Sequence, residues 1–349
     1  MKKITTLIAA FFLAAVFTLN GQDFSVSVKG GNKLFFNITD TTKKTVEVVR
    51  PRLVADAASF LPSGSLEIPK SVAYKNVLYT VASIGNGALA KAEGLTFVTI
   101  PSSVTNIGAR AFEGCKNLES VVFPASQPVI GEGAFDADPL LATVSFGSDW
   151  HSIDFNLFAS SASLESVTIP AKVNKISNLK GVKALKEIIV DVNNPAFSSI
   201  DGLLYAKDGK VLYSCPSGRS GDVEVASGTE KIINGAFKDC DKIKSVTLPA
   251  TVHEFAYCEF DSCSQINSIT ILAEIPPITA KWNGVPVFAL RLANNNAKLF
   301  VPRQAVSIYR RTICFKDGVY ECMAGEHEAT LTSNQMLNKK AIVRIKACR

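Results

Sequence analysis

Large apolar residues recur every 23 positions along this chain. Leu89, Phe112, Phe135 and Phe158 share one register, and Phe237 and Phe260 resume it after a longer interval. A second register agrees, through Ile84, Ile107, Ile130 and Ile153, then Ile232 and Phe255. So does a third, through Leu95, Leu118, Leu141, Leu164 and Leu185, then Ile243 and Ile266. Self-similarity at a fixed short period marks a solenoid. One such unit cannot bury its own apolar face, but stacked units bury a continuous core.

Residues 95–124 show how one turn should run. Leu95, Val98 and Ile100 alternate inward along a short strand, and Pro101, which has no N–H to donate, ends the ladder. Val104 and Ile107 carry the chain back across the core. Gly108 is read as permitting a tight bend. Ala111-Phe112 forms a short turn with Phe inward, and Glu113-Gly114-Cys115 leads to Leu118 and the next strand. Pro69, Pro124, Pro170 and Pro249 repeat the stop, while Gly147 and Asp154 stand in for the proline and the glycine of their turns.

The rest of the chain is organised around this stack. Residues 1–22 read as a signal peptide, with Lys2 and Lys3 before the apolar run Ile4 to Leu19. Cleavage near Gly21 or Gln22 would leave about 327 residues. No later stretch is long and apolar enough to span a bilayer. Residues 23–62 alternate with period two and form a candidate N-terminal β cap. The solenoid occupies 63–275. Leu185 to Ile243 is longer than one period, and the extra segment, about 191–225, reads as a β-hairpin. Leu203-Leu204-Tyr205 and Val211-Leu212-Tyr213 are its strands, joined across Lys207-Asp208-Gly209. It either projects from the stack or splices into one face. Residues 276–325 form a C-terminal cap in which Leu299-Phe300-Val301-Pro302 is a strand and Ser307-Ile308-Tyr309 a short helix. Residues 326–349 are a basic tail, either one strand or a disordered end.

Charge narrows the partners. Without Lys2 and Lys3 the chain carries +4, of which residues 298–349 hold +6, so the body is close to neutral. A nucleic-acid groove needs clustered Lys and Arg, and none runs along the repeats. Of eight cysteines, Cys115, Cys240 and Cys263 each follow the Phe register by three and should point into the core as unpaired small apolar residues. Cys215 lies in the insertion, Cys258 beside a core position, and Cys314–Cys322 is a candidate bridge. No pair has metal-site spacing, and only His151, His253 and His327 exist. His253-Glu254-Phe255-Ala256-Tyr257 begins like a zinc-protease helix but lacks the second His. No catalytic motif or phosphate loop occurs, so neither an enzyme nor a cofactor is expected.

The segment Ile100-Pro101-Ser102-Ser103-Val104-Thr105-Asn106-Ile107-Gly108, followed by Ala111-Phe112, Cys115 and Leu118, resembles the BspA-like leucine-rich-repeat family of bacterial surface proteins. Weaker copies cover roughly residues 66–271. Asn194-Pro195 with Asp201-Gly202-Leu203-Leu204-Tyr205 is similar to an element frequent in that family, as is Leu-Phe-Val-Pro at 299–302. The resemblance implies an exported adhesion or protein-recognition module and carries over no catalytic residues. The 23-residue period also lies in the leucine-rich-repeat range. The expected fold is therefore a β-rich leucine-rich-repeat solenoid of short strands and turns, with β caps at both ends and one β-hairpin insertion.

If Val98 and Ile100 point inward, their neighbours face the open side of the sheet. These outward residues are Phe97 and Thr99, Ser120 and Val122, Thr143 and Ser145, Ser166 and Thr168, Ser245 and Thr247, and Ser268 and Thr270. The ladder is rich in hydroxyls and nearly free of charge. It reads either as β-propensity alone or as a contact surface for a host, matrix or neighbouring-cell protein, bound by a monomer. A carbohydrate-binding surface is the alternative, with Phe97, Trp150, Tyr205, Tyr213 and Trp282 as its aromatic platforms. A hydrolase with an unrecognised carboxylate pair is the third reading.

Overall fold

The computed structural model describes residues 23–51, 60–256, 259–260, 262–282, 285–287, 297–312 and 340–344. The leader, the Cys314–Cys322 pair and most of the basic tail lie outside them. The fold is a β-solenoid of about eight turns at about 23-residue spacing, built as two compact units, residues 1–164 and 165–349.

In the first unit each turn contributes one strand to each of two parallel rows. Gly64–Glu67, Leu95–Thr99, Ser120–Val122 and Thr143–Ser145 pair in parallel as one sheet. Val77–Ile84, Asn106–Ile107 and Val129–Ile130 form the other. Between the rows Val98, Ile100, Val104, Ile107, Phe112, Cys115, Leu118 and Val121 are all buried. The inward register drawn from residue 95 onward therefore holds side chain by side chain. Phe24–Ser27, Lys33–Asp40 and Thr45–Val49 form an antiparallel meander, and Thr45–Val49 joins Val77–Ile84 in parallel. Next to the first strand of the other sheet, the Asn32 carboxamide donates to the Ser63 and Ser65 carbonyls and accepts from the Ser63 amide. One side chain thus occupies backbone groups that an edge strand leaves open.

Gly108 serves a purpose other than bending. Its φ is not left-handed. A Cβ there would stand 2.5 Å from the Asn86 nitrogen and 2.7 Å from the Gly85 carbonyl carbon. At Gly131 the same atom would meet Ala109 N at 2.3 Å and Gly108 C at 2.7 Å. These glycines let successive turns touch backbone to backbone.

The left-handed positions lie just beyond, again 23 apart. Gly87, Arg110 and Gly133 have φ of 59°, 55° and 65°, and Lys91, Gly114 and Ala137 have φ of 60°, 73° and 59°. The repeat imposes this conformation whatever residue it carries, and an L side chain there is strained by roughly 1 kcal/mol. Ala137→Gly should therefore raise unfolding free energy by about 0.5–1 kcal/mol, read from the urea midpoint. An unchanged or lower midpoint would show that Ala137 carries no strain.

The second unit repeats the parallel arrangement. Ser166–Ile169 pairs with Glu187–Val190, and Gly221–Glu224, Ile243–Leu248, Ser268–Ile271 and Lys298–Pro302 form a further sheet. Lys340–Arg344 closes that sheet antiparallel to Lys298–Pro302. The insertion is a meander of Phe197–Ile200, Leu203–Ala206 and Val211–Ser214. Its last strand also pairs in parallel with Lys231–Ile232, so it splices into the stack. Leu203, Tyr205, Leu212 and Cys215 share one core with Phe237 and Phe260. The short helix Val306–Thr312 buries Tyr309, whose hydroxyl donates to the Ala273 carbonyl at 2.9 Å.

Candidate recognition face

Parallel pairing sets outward side chains in columns. In the first unit, Ser65, Phe97, Ser120 and Thr143 stand opposite one another across four strands, and Glu67, Thr99, Val122 and Ser145 form the next column. Thr143 and Ser145 are exposed, while Phe97, Thr99, Ser120 and Val122 are half-buried. Phe97 is the one aromatic in the two columns. From Leu95 to Ser145 the face carries no charge. Its first strand adds Glu67, which is paired with Lys29 at 2.9 Å.

The second unit is different. Ser166 and Thr168 stand opposite Glu187 and Ile189, and all four are exposed. Asp222 leads the column Ser245, Ser268, Lys298, and Glu224 leads Thr247, Thr270, Phe300. Asp222 accepts a hydrogen bond from the Ser245 hydroxyl at 2.7 Å. Sequence counting missed these acids because Gly221–Glu224 falls within the segment read as insertion. Alternation along Gly221–Glu224 was the signal available. The nearly charge-free ladder is a property of the first unit, whereas the second carries Glu187, Asp222 and Glu224 beside its hydroxyls.

The 23-residue turns, the parallel rows and the inward Phe and Cys columns match a known repeat. The model of the BspA-type leucine-rich repeat region matches in six copies, over residues 69–181 and 211–281, more than half of the chain. The chain belongs to the BspA-type leucine-rich-repeat family. That family supports a protein-binding, surface-recognition role and is typically found at the cell surface. Among solved structures, the chain is similar to a leucine-rich cell surface protein from Faecalibacterium prausnitzii. There the identity is 19%, covering 77% of this chain and 89% of that one, with a TM-score of 0.39. It is similar to the pneumococcal vaccine antigen PcpA at 17% identity, covering 83% and 96%, with a TM-score of 0.42. A leucine-rich repeat protein from Bacteroides ovatus shares 18% identity over 80% of each chain, with a TM-score of 0.43. No curated protein matches the chain. Among the described residues no helix is long and apolar enough to cross a membrane.

The aromatics read as carbohydrate platforms do not form a set on this BspA-type scaffold. Trp150 is buried, and its indole N–H donates to the Pro124 carbonyl at 3.2 Å. Tyr205 is buried as well, with its hydroxyl accepting from the Ala226 amide at 3.1 Å. Both have an apolar body and one polar atom that is satisfied by backbone, which is core behaviour. Tyr213 is half-buried, edge-on to Phe197. The Trp282 side chain lies outside the described residues. Phe97 remains on the face.

The column holding Cys115 carries the most reactive side-chain types of the first unit. Ala92, Cys115, Asp138 and Ser161 occupy the same slot in successive repeats, and all are buried. The Cys115 thiol donates to the Leu89 carbonyl at 3.3 Å. Both carboxyl oxygens of Asp138 and the Ser161 hydroxyl lack a hydrogen-bond partner. The nearby Cys115 and Gly114 amides are already taken by the Phe112 and Asp136 carbonyls. With no hydrogen bond among them and no exposure, these groups are not a nucleophile and base. Burial pushes the Asp138 carboxyl from the ordinary 3.8 up to about 8; the Cys115 and Gly114 amides oppose this, and the Asp136 and Glu113 charges add to it. Burial first, then Asp138, pushes the Cys115 thiol up to about 12. Glu259 in the second unit shows the contrasting solution. It is equally buried, but its carboxylate accepts from the Gly235 amide at 2.9 Å and the Phe237 amide at 2.5 Å. Among the described residues no three His, Cys, Asp or Glu side chains are grouped to hold a metal.

Proposed function

We propose that this chain is an exported, non-catalytic adhesion module whose open sheet face binds a protein of a host, a matrix or a neighbouring cell. The observation that carries this is the uncharged pair of columns from Phe97 to Thr143 and from Thr99 to Ser145, held in register on a rigid stack. Such a face favours shape matching and hydrogen bonding around Phe97 over charge steering. Residues 1–22 serve this reading as a signal peptide, and the module acts as a monomer.

The test sets arrays of host and matrix proteins against a glycan array. Binding to a protein that is lost by at least tenfold in the double variant Thr143→Lys and Ser145→Lys is the expected result, because a partner must then desolvate two new charges. Both side chains are exposed, so circular dichroism should match the parent. Glu113→Lys with Glu132→Lys, on the turn side, should bind normally. Glycan binding without protein binding would favour the carbohydrate reading. Loss confined to the turn-side pair would move recognition off the sheet.

A further inference from the structure

Two thiols meet where the spliced segment joins the repeats of the second unit. Cys215 directly follows the strand Val211–Ser214, and its amide donates to the Ala236 carbonyl at 2.8 Å. Cys240 follows Phe237 in the repeat slot. Its sulfur lies 3.5 Å from the Cys215 carbonyl oxygen, and both sulfurs lie 3.7 Å from the Pro216 carbonyl oxygen. The two sulfurs thus converge on one carbonyl oxygen, that of Pro216. Cys263, one turn on, is aimed elsewhere, with its thiol on the Phe237 carbonyl at 3.4 Å. All three are buried, and Cys215 and Cys240 are free thiols.

A cation completes the cluster. Half-buried Lys180 donates to the Cys215 carbonyl, to the Ala236 carbonyl at 2.7 Å and to the Cys240 sulfur at 3.7 Å. The neighbouring Cys215 thiol and this ammonium hold the Cys240 thiol below its ordinary range against the effect of burial. The Cys240 thiol, with burial, raises Cys215. In the closed turn the Lys180 ammonium therefore favours a thiolate at Cys240 over one at Cys215.

We infer that Cys215 and Cys240 are a cross-link site, at which a disulfide ties the spliced segment to the turn that follows Phe237. The oxidant is a low-molecular-weight disulfide, RSSR. The Cys240 thiolate attacks one of its sulfurs, the S–S bond breaks, and RS⁻ leaves. Cys215 gives its proton to RS⁻, and the resulting thiolate attacks Cys240 Sγ and expels the second RS⁻, which takes a proton from water. Two protein thiols are oxidised, and one small disulfide is reduced to two thiols. The exchange runs while the turn is open, during folding.

The full chain, reduced and unfolded, is refolded in a buffer of reduced and oxidised glutathione. Free thiols are then blocked with N-ethylmaleimide in denaturant, where buried cysteines are reached, and the chain is digested without reduction. The expected product is a peptide joining Cys215 to Cys240, with Cys115 and Cys263 carrying the label. The oxidised chain should melt on the order of 5 °C above the reduced one. That increment should vanish in Cys215→Ala and in Cys240→Ala, each compared with its own reduced form. Circular dichroism confirms the fold. Label or glutathione on both Cys215 and Cys240 in the folded chain, or either one joined to another cysteine, would overturn the assignment.

Discussion

Phe135→Ala should cost about 3–5 kcal/mol of unfolding free energy, the range for emptying an aromatic from a core. Phe135 is fully buried. Its ring stacks on Phe112 at 5.1 Å with planes 6° apart, stands 6.0 Å from Phe158, and meets Phe123 edge-on at 5.5 Å. Each of those rings would lose a face of contact at once. Collapse into the cavity is resisted because the turn that holds Phe135 accepts backbone hydrogen bonds from the Phe112 turn and donates the Ala137 amide to Ser160 Oγ of the Phe158 turn. In a stacked repeat such a loss spreads to neighbours, so amide exchange should quicken in the turns of Phe112 and Phe158 as well. Urea unfolding followed by circular dichroism measures the first effect. A midpoint equal to the parent's would break the register on which the whole fold rests.

The second large effect has the opposite sign. Asp138→Cys, which installs the residue of the equivalent slots at Cys115, Cys240 and Cys263, should stabilise the protein, and more so as pH rises. The Asp138 carboxyl titrates at about 8 in the fold, against an ordinary value of 3.8. Below about pH 4 it is protonated in both states. Between 4 and 8 the unfolded chain releases the proton while the folded chain keeps it, so stability falls as pH rises through this window and levels off above it. Each pKa unit is worth about 1.4 kcal/mol. Relaxation around the turn tempers the full span, so the parent should lose on the order of 2–4 kcal/mol relative to the variant between pH 5 and pH 8. The groups facing this carboxyl are the Cys115 thiol, Asp136 and Glu113. Only Asp138 is removed, so the difference between the two pH profiles isolates its contribution. Parallel profiles, measured by urea unfolding under reducing conditions, would show that Asp138 finds a partner in solution.

Spacing made the core legible and hid what departs from it. The Phe and Leu registers could be read because a solenoid reuses one set of inward positions, and each proved buried. Asp138 sits at a countable position, three past Phe135, yet an aspartate is almost never fully buried unless paired, so its residue type points away from the core slot it fills. Asp222 and Glu224 escaped because the splice of Val211–Ser214 into the stack shortens the count, so a strand of the sheet lay inside the presumed hairpin. Trp150 and Tyr205 lie outside the counted registers, and only the three-dimensional path shows each polar atom meeting a backbone partner. Gly108 was read as a bend, whereas its missing Cβ serves close contact with the neighbouring turn. Only the neighbouring turn reveals that need, and no neighbouring turn is visible in one repeat's sequence. The face was readable as a pattern of alternation, and its charge asymmetry was not.

The seam at Gly108 and Gly131 behaves like the spine of a book. There, main chain lies on main chain with no room for a single carbon between leaves. Around the rest of each turn, strand ladders hold the leaves by hydrogen bonds and side chains fill the space between the rows. A chain built this way lengthens by whole leaves, or by a segment such as 197–214 that hands a strand back to the stack. Its outward faces are free to change from copy to copy without disturbing how the copies are bound together.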